Sequence, residues 1–190
     1  MRELVIALVL ATCLASLSPA AEVRIRYSNG NYNSYTIFGS TRHPGTLFTP
    51  KANQYPLLLK QGHFGFDTGN VAVQVKVWRA SGSVVGPLLA SFPATTRAWP
   101  TWTDVDLSGA NVVIAAGNFF VSTNNPQMGP LGSPFRGANP TNVGHHFWSL
   151  DDQSWSLWTY TDWAIECTVE TRYGSGVAPA SLGRVRAIYY

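Results

Sequence analysis

The sequence predicts an all-β protein, an antiparallel β-sandwich for which a jelly roll is the favoured topology. Three observations lead to this prediction. Apolar and polar residues alternate with a period of two along many short segments, which is the pattern of strands that bury one face. Clusters of Gly, Asn, Asp and Ser separate these segments. No long window between residues 22 and 170 shows helical periodicity, and many short strands with regular turns are typical of sandwiches.

The alternation is clearest in three segments, residues 22–27, 71–78 and 165–170. In the second of them the valines at 71, 73, 75 and 77 share one face, so Gln74 and Trp78 share the other. Further strands are predicted at 35–38, 56–66, 88–92, 102–107, 112–115, 118–123, 145–149 and 156–160. Residues 124–143 are rich in Pro, Gly and Asn and are predicted to form the longest loop.

The composition fits one folded domain with a neutral body. Of the 190 residues, 45% are hydrophobic and 13% aromatic, but only 12% are charged. This excludes a disordered chain, a coiled coil and a long-helix protein. The net charge of +3 comes from outside the span 22–170, which has nine basic and nine acidic side chains. We therefore expect no nucleic-acid partner, because phosphate binding needs a basic surface.

Residues 1–21 have the features of a secretory signal peptide. The apolar run Leu4–Ala15 is too short to cross a bilayer, which takes about 20 residues. Small residues at Ser18 and Ala20 provide a cleavage site after Ala20 or Ala21. A buried N-terminal helix is the alternative. We expect an exported protein, secreted or at the cell surface, with no membrane span.

The two cysteines of the sequence predict no disulfide bond within the mature chain. Cys13 lies in the signal segment, where Thr12 disfavours a lipid anchor, so Cys167 is the one thiol of the mature chain. It alternates with Ile165 and Val169, which predicts a buried, unreactive core thiol. Stability is then expected to come from packing.

The pattern of strands ends near residue 170. We divide the chain into a signal peptide at 1–21, a β-sandwich domain at 22–170, and a linker with a short basic C-terminal tail at 171–190. Gly and Ala dominate the linker. The tail contains two arginines and an apolar set at Leu182, Val185, Ile188 and Tyr189.

A series of short motifs resembles the β-sandwich accessory modules of secreted, multi-domain bacterial surface proteins and exported peptidases. The motifs are Val73–Trp78, Trp102–Leu107, Gly117–Val121, Ser154-Trp155 and Asp162–Ile165. The resemblance implies a sandwich fold and an accessory role, and it brings no catalytic residues or cofactor.

Two further segments extend this resemblance. Tyr27-Ser28-Asn29-Gly30 stands where members of that family have a Tyr-Asp-Asp-Gly segment, so the two acids are missing here. The tail segment Leu182–Tyr189 is similar to a C-terminal sorting element of secreted bacterial proteins. This likeness implies attachment or sorting of a folded module.

Histidines give no metal or catalytic site. His145 and His146 are adjacent, so on a strand their rings point to opposite faces and cannot bind one ion. His43 and His63 have no acidic residue at metal spacing. We predict no catalytic residue, resident metal or cofactor, although calcium beside Asp67 or at the turn of Asp151 and Asp152 is left open.

Asp104 and Asp106 form the one pair of carboxylates that glycoside hydrolysis could use. They share a strand face with Trp102 and stand about 6.5 Å apart along the strand. This spacing lies within the range of a glycosidase acid and base. An ordinary solvated face is the preferred interpretation.

The aromatic residues carry the main functional prediction. Flat rings stack on sugar faces while amide and carboxyl groups bind hydroxyls. The candidate ligand-binding residues are Trp78, Gln74, Trp155, Trp158 and Asp152. The leading hypothesis is a non-enzymatic extracellular binding or adhesion module whose partner is a glycan or a surface protein. The alternatives are a structural subunit that self-assembles or is anchored by its tail and, last, a glycoside hydrolase.

Overall fold

The computed structural model describes residues 20–37, 42–124, 134–141 and 144–171. Strands make up 57% of these residues, and the described parts contain no α-helix. The strands are β1 (Ala21–Ile25), β2 (Ser34–Ile37), β3 (His43–Phe48), β4 (Leu57–Phe64), β5 (Ala72–Ser81), β6 (Val84–Thr95), β7 (Thr103–Asp106), β8 (Val113–Ile114), β9 (Asn118–Thr123), β10 (Pro134–Ala138), β11 (His146–Ser149), β12 (Trp155–Leu157), β13 (Asp162–Trp163) and β14 (Ile165–Thr171).

Two large antiparallel sheets form the body of the molecule. The front sheet has the strand order β12-β11-β3-β9-β5-β6. The back sheet has the order β1-β14-β4-β7, and β8 pairs with β4 beside this path. A small third sheet joins β13, β10 and β2. The sandwich-like, all-β fold that the sequence predicts is thus confirmed, while the jelly-roll topology stays a prediction.

The core lies between the two large sheets. Val73, Val75 and Val77 of the front sheet are buried in one cluster with Ile165, Cys167 and other apolar residues of the back sheet. The predicted burial of Cys167 is confirmed, and this burial raises the pKa of its thiol. The alternation of the sequence therefore places the core correctly.

The sequence-based prediction lacks three strands of the structure: β3, β10 and the two-residue β13. Residues 124–143 are not all loop, because β10 lies within them and pairs with β2 and β13. The sequence does not predict β3, because Pro44 and Gly45 interrupt the alternation of apolar and polar residues. The structure needs a glycine there, since an added Cβ at Gly45 would lie 2.2 Å from Cζ of Phe120.

The predicted ends of the chain lie outside the described residues. This applies to residues 1–19 of the predicted signal peptide and to residues 172–190 of the predicted linker and tail. Where the structure describes the chain, it has no helix long and apolar enough to cross a membrane.

Candidate ligand-binding face

The outward face of the front sheet, here called the front face, collects most of the predicted binding residues. Because Val73, Val75 and Val77 point inward, the alternating positions Gln74 and Trp78 point outward. Ser122 of β9 stands opposite Lys76, and Phe120 stands opposite Trp78, so both share this face.

Four rings form an aromatic patch on the front face: Trp78, Phe120, Phe147 and Trp155. The centroid of Trp155 lies 4.5 Å from that of Phe120 and 6.2 Å from that of Trp78, both edge-to-face. Gly45 leaves the space into which the Phe120 ring packs. Phe120 is fully buried, while Trp78 and Trp155 remain half-buried and present part of their surface to solvent.

Polar atoms border the aromatic patch. The indole Nε1 of Trp78 donates a hydrogen bond to Oγ of Ser122 over 2.9 Å, which fixes the ring. The Nε1 of Trp155 is buried without a hydrogen-bond partner. Gln74 and Asn124 line an open pocket of about 470 Å³ at the far end of β5. The front face thus combines ring surfaces with amide and hydroxyl groups.

Asp152 connects a histidine and a lysine next to the patch. Its Oδ1 lies 2.7 Å from Nδ1 of His43, and its Oδ2 contacts Nζ of Lys76. Burial alone would raise the pKa of Asp152, but the hydrogen bonds from His43 and Lys76 outweigh burial and lower it. We call these three residues the charged triad. Its carboxylate has both oxygens occupied, so Asp152 positions other groups instead of offering itself to a ligand.

The loop between β11 and β12 carries Asp152 onto this face. Oδ1 of Asp151 accepts backbone hydrogen bonds from Gln153 over 2.8 Å and from Ser154 over 2.9 Å. This is the turn expected from the sequence, in which an Asp side chain bonds nearby backbone. Asp152 itself has a φ of 61°, a conformation that Asp and Asn tolerate.

Trp158 does not join the other candidates. Its ring stacks on Trp163 at 5.1 Å, and its Nε1 donates to Oγ1 of Thr161 over 2.9 Å. It packs against the core cluster between the sheets, not against the aromatic patch. The structure therefore brings together Trp78, Gln74, Trp155 and Asp152, and it places Trp158 elsewhere.

The outward face of the back sheet, here called the back face, holds a second set of polar groups whose contacts sequence reasoning missed. Nδ1 of His63 lies 2.6 Å from Oδ1 of Asp104, and its Nε2 lies 2.8 Å from Oγ1 of Thr168. Glu166, only 2% exposed, contacts Nε of Arg24 and accepts a hydrogen bond of 2.8 Å from the Tyr32 hydroxyl. Burial is the main cause that lowers the pKa of His63.

Asp104 and Asp106 lie on the back face beside an open pocket of about 330 Å³. Both are exposed, as the preferred interpretation expects. Asp106 accepts hydrogen bonds from the backbone and hydroxyl of Ser108, which lower its pKa. Since Asp104 contacts His63, each carboxylate is bound to protein groups.

The remaining histidines have separate partners. His145 stacks on Tyr27 at 3.7 Å, whereas Nε2 of His146 lies 3.3 Å from Oδ1 of the buried Asp162. In the described residues no group of three His, Cys, Asp or Glu side chains is arranged to hold a metal ion. Asp67, one of the positions left open for calcium, is paired with Arg136.

Comparison with known proteins finds solved structures of similar fold, but it does not assign the chain to a family. No family model and no curated protein matches the chain. Solved structures do match. The fold resembles that of a clostridial surface protein. One match, to the clostridial cysteine protease Cwp84 after propeptide cleavage, has a TM-score of 0.59 at 13% identity and covers 79% of this chain and 40% of that one.

A second match is to a structure of the cysteine protease and lectin-like domains of Cwp84, a surface layer associated protein of Clostridium difficile. Its TM-score is 0.57 at 11% identity, and it covers 81% of this chain and 37% of that chain. This chain therefore spans well under half the length of either neighbour. At such identities the likeness concerns the fold alone.

Proposed function

We propose that this chain is an extracellular, non-enzymatic accessory module of a bacterial surface protein, and that it binds carbohydrate on the front face. The observation that carries the proposal is the pair of half-buried tryptophans, Trp78 and Trp155, close to a fixed hydroxyl group at Ser122 and to the paired charges of Lys76 and Asp152. Ring faces give sugars an apolar surface, and polar neighbours select their hydroxyls.

The structural neighbours support this proposal. The part of Cwp84 that an all-β chain resembles is best assigned to its lectin-like domain. An accessory module of a secreted, multi-domain surface protein is also what the predicted signal peptide and the resemblance of the motifs imply. We carry over the accessory role to this chain, and no protease activity.

Affinity electrophoresis of the purified protein through gels with different soluble polysaccharides tests the proposal. We expect retardation by at least one polysaccharide, and about ten-fold weaker affinity in Trp78→Ala or Trp155→Ala, because removing a central aromatic anchor costs more than about 1 kcal/mol of binding. Tyr160→Ala is the matched control, since Tyr160 is 74% exposed but packs beside Trp158. Thermal unfolding of each variant separates lost binding from lost folding. Free migration in every gel would refute carbohydrate binding.

A second candidate function is structural self-assembly through β6. This strand ends the front sheet and contains no charged residue in twelve, while Val84 and Leu88 are 68% and 48% exposed. Edge strands without charges favour pairing with another chain, and between Pro87 and Pro93, which have no backbone donor, residues 88–92 of β6 keep theirs. Sedimentation of the purified protein should then show oligomers that Leu88→Lys dissociates. Oligomers lost instead on deletion of residues 172–190 would assign assembly to the tail, and a monomer would exclude both.

A further inference from the structure

The charged groups of the front face neutralise one another. Among the outward positions of the described front-sheet strands, the only ionisable residues are His43 and Lys76. Both contact Asp152, whose side chain is only 12% exposed. The loop adds one more carboxylate, Asp151, which is exposed. A ligand on this face therefore meets no unpaired cation among these groups.

An acidic sugar would have to break this arrangement. Its carboxylate could bind Lys76 only by displacing Asp152, which would leave the largely buried Asp152 carboxylate with His43 as its remaining partner. Such a separation is costly, because a charge removed from water needs a compensating contact. The acidic sugar would also approach the charge of Asp151. A hydroxyl group, in contrast, can accept or donate at the rim of the charged triad without separating its members.

On the basis of the proposed function, we infer that the ligand is a neutral glycan, one without carboxylate, sulfate or phosphate groups. The preference for neutral over acidic glycans comes from Asp152, which acts as a positioning residue that keeps Lys76 paired. The glycan chain lies along β5 between two contact points. Gln74 and Trp78 are about 13 Å apart at the usual rise of a strand, so more than one sugar is needed to reach both the aromatic patch and the Gln74 pocket.

Matched polysaccharides test this inference. The probes are hydroxyethyl cellulose with carboxymethyl cellulose, and methyl-esterified pectin with its de-esterified form, since each pair shares a backbone and differs in charge. We expect the wild-type protein to be retarded by the neutral member of a pair at least ten-fold more strongly than by the charged one. This preference should persist at about 0.5 M salt, where charge interactions are screened.

The Asp152→Asn variant tests the cause of the preference. Asn keeps the size of the side chain and tolerates the same backbone conformation, but it leaves the charge of Lys76 without a counterion. We expect this variant to gain retardation by the carboxylated member, and high salt should abolish the gain. Asp106→Asn is the control, because it makes the same change in net charge on the exposed back face.

Each outcome decides between the two proposals. Equal or stronger retardation of wild type by the charged member would overturn the inference and leave carbohydrate binding intact. A neutral preference that is unchanged in Asp152→Asn would also overturn the inference, because Asp152 would then not be its source. Retardation by no polysaccharide would remove the proposed function and the inference with it.

Discussion

Each outward face of the sandwich contains a contact between a histidine and an aspartate, but the two contacts are built from different elements of the fold. On the back face, His63 and Asp104 stand opposite each other on neighbouring strands, and Glu166 stands opposite His63 on the other side. On the front face, His43 meets Asp152, which a loop supplies.

The two faces also differ in how deeply the residues around these contacts are buried. Glu166 is buried together with Tyr32, and Trp102 packs next to His63 and Arg24. Trp78 and Trp155 on the front face keep part of their surface exposed. The polar groups of the back face are therefore largely enclosed by protein, while the front face leaves ring surface exposed to solvent.

The largest expected effect concerns the back face. Glu166→Ala removes the buried carboxylate that contacts Arg24 and accepts the hydrogen bond of Tyr32, and we expect it to lower the free energy of unfolding by about 3 kcal/mol, measured by urea denaturation, because the buried Tyr32 hydroxyl loses its acceptor. Glycan affinity should stay unchanged. Glu170→Ala is the control on the same strand, and its partly exposed pair with Lys60 should cost less than about 1 kcal/mol. Equal effects of the two changes would contradict the proposed role of Glu166.

A smaller effect on stability, joined to an effect on binding, is expected at Gly45. The added methyl group of Gly45→Ala meets the Phe120 ring and should displace it, at a cost of about 1–3 kcal/mol. Because Trp155 packs on Phe120, polysaccharide retardation should also weaken. Gly109→Ala has nothing within 4 Å of the new Cβ and should change neither measurement. Full retention of binding in a destabilised Gly45→Ala protein would separate Phe120 from the site.

The smallest effect is a pH dependence of stability from His63. Burial holds the pKa of this side chain below its ordinary value of 6.5 in the folded protein. As the pH falls through 6.5, the unfolded chain takes up the proton first, so the free energy of unfolding should decrease until the folded pKa is reached. Urea denaturation at several pH values should show this decrease in wild type and a weaker one in His63→Gln. Identical profiles would show that His63 does not cause it.

Local pattern was enough to predict part of this architecture. The valine alternation places β5 in the core and directs Gln74 and Trp78 outward, as the structure shows. The pairing of His43 with Asp152 was not predictable, because the two residues are 109 positions apart and meet through sheet register and a loop. Trp155 and Trp158 are both candidates from the sequence, but the structure separates them, because an odd spacing along an extended chain directs side chains to opposite sides.

The loop of Asp151 has a consequence for the thermodynamics of recognition. Its side chain already holds the backbone of Gln153 and Ser154, and Asp152 is anchored to two strands. The proposed glycan would therefore meet a surface that is already organised, and the protein would lose little conformational entropy on association. The main entropic cost of binding should then be the conformational entropy that the glycan itself loses. In calorimetry, a stiffer oligosaccharide of the same composition should therefore bind more tightly.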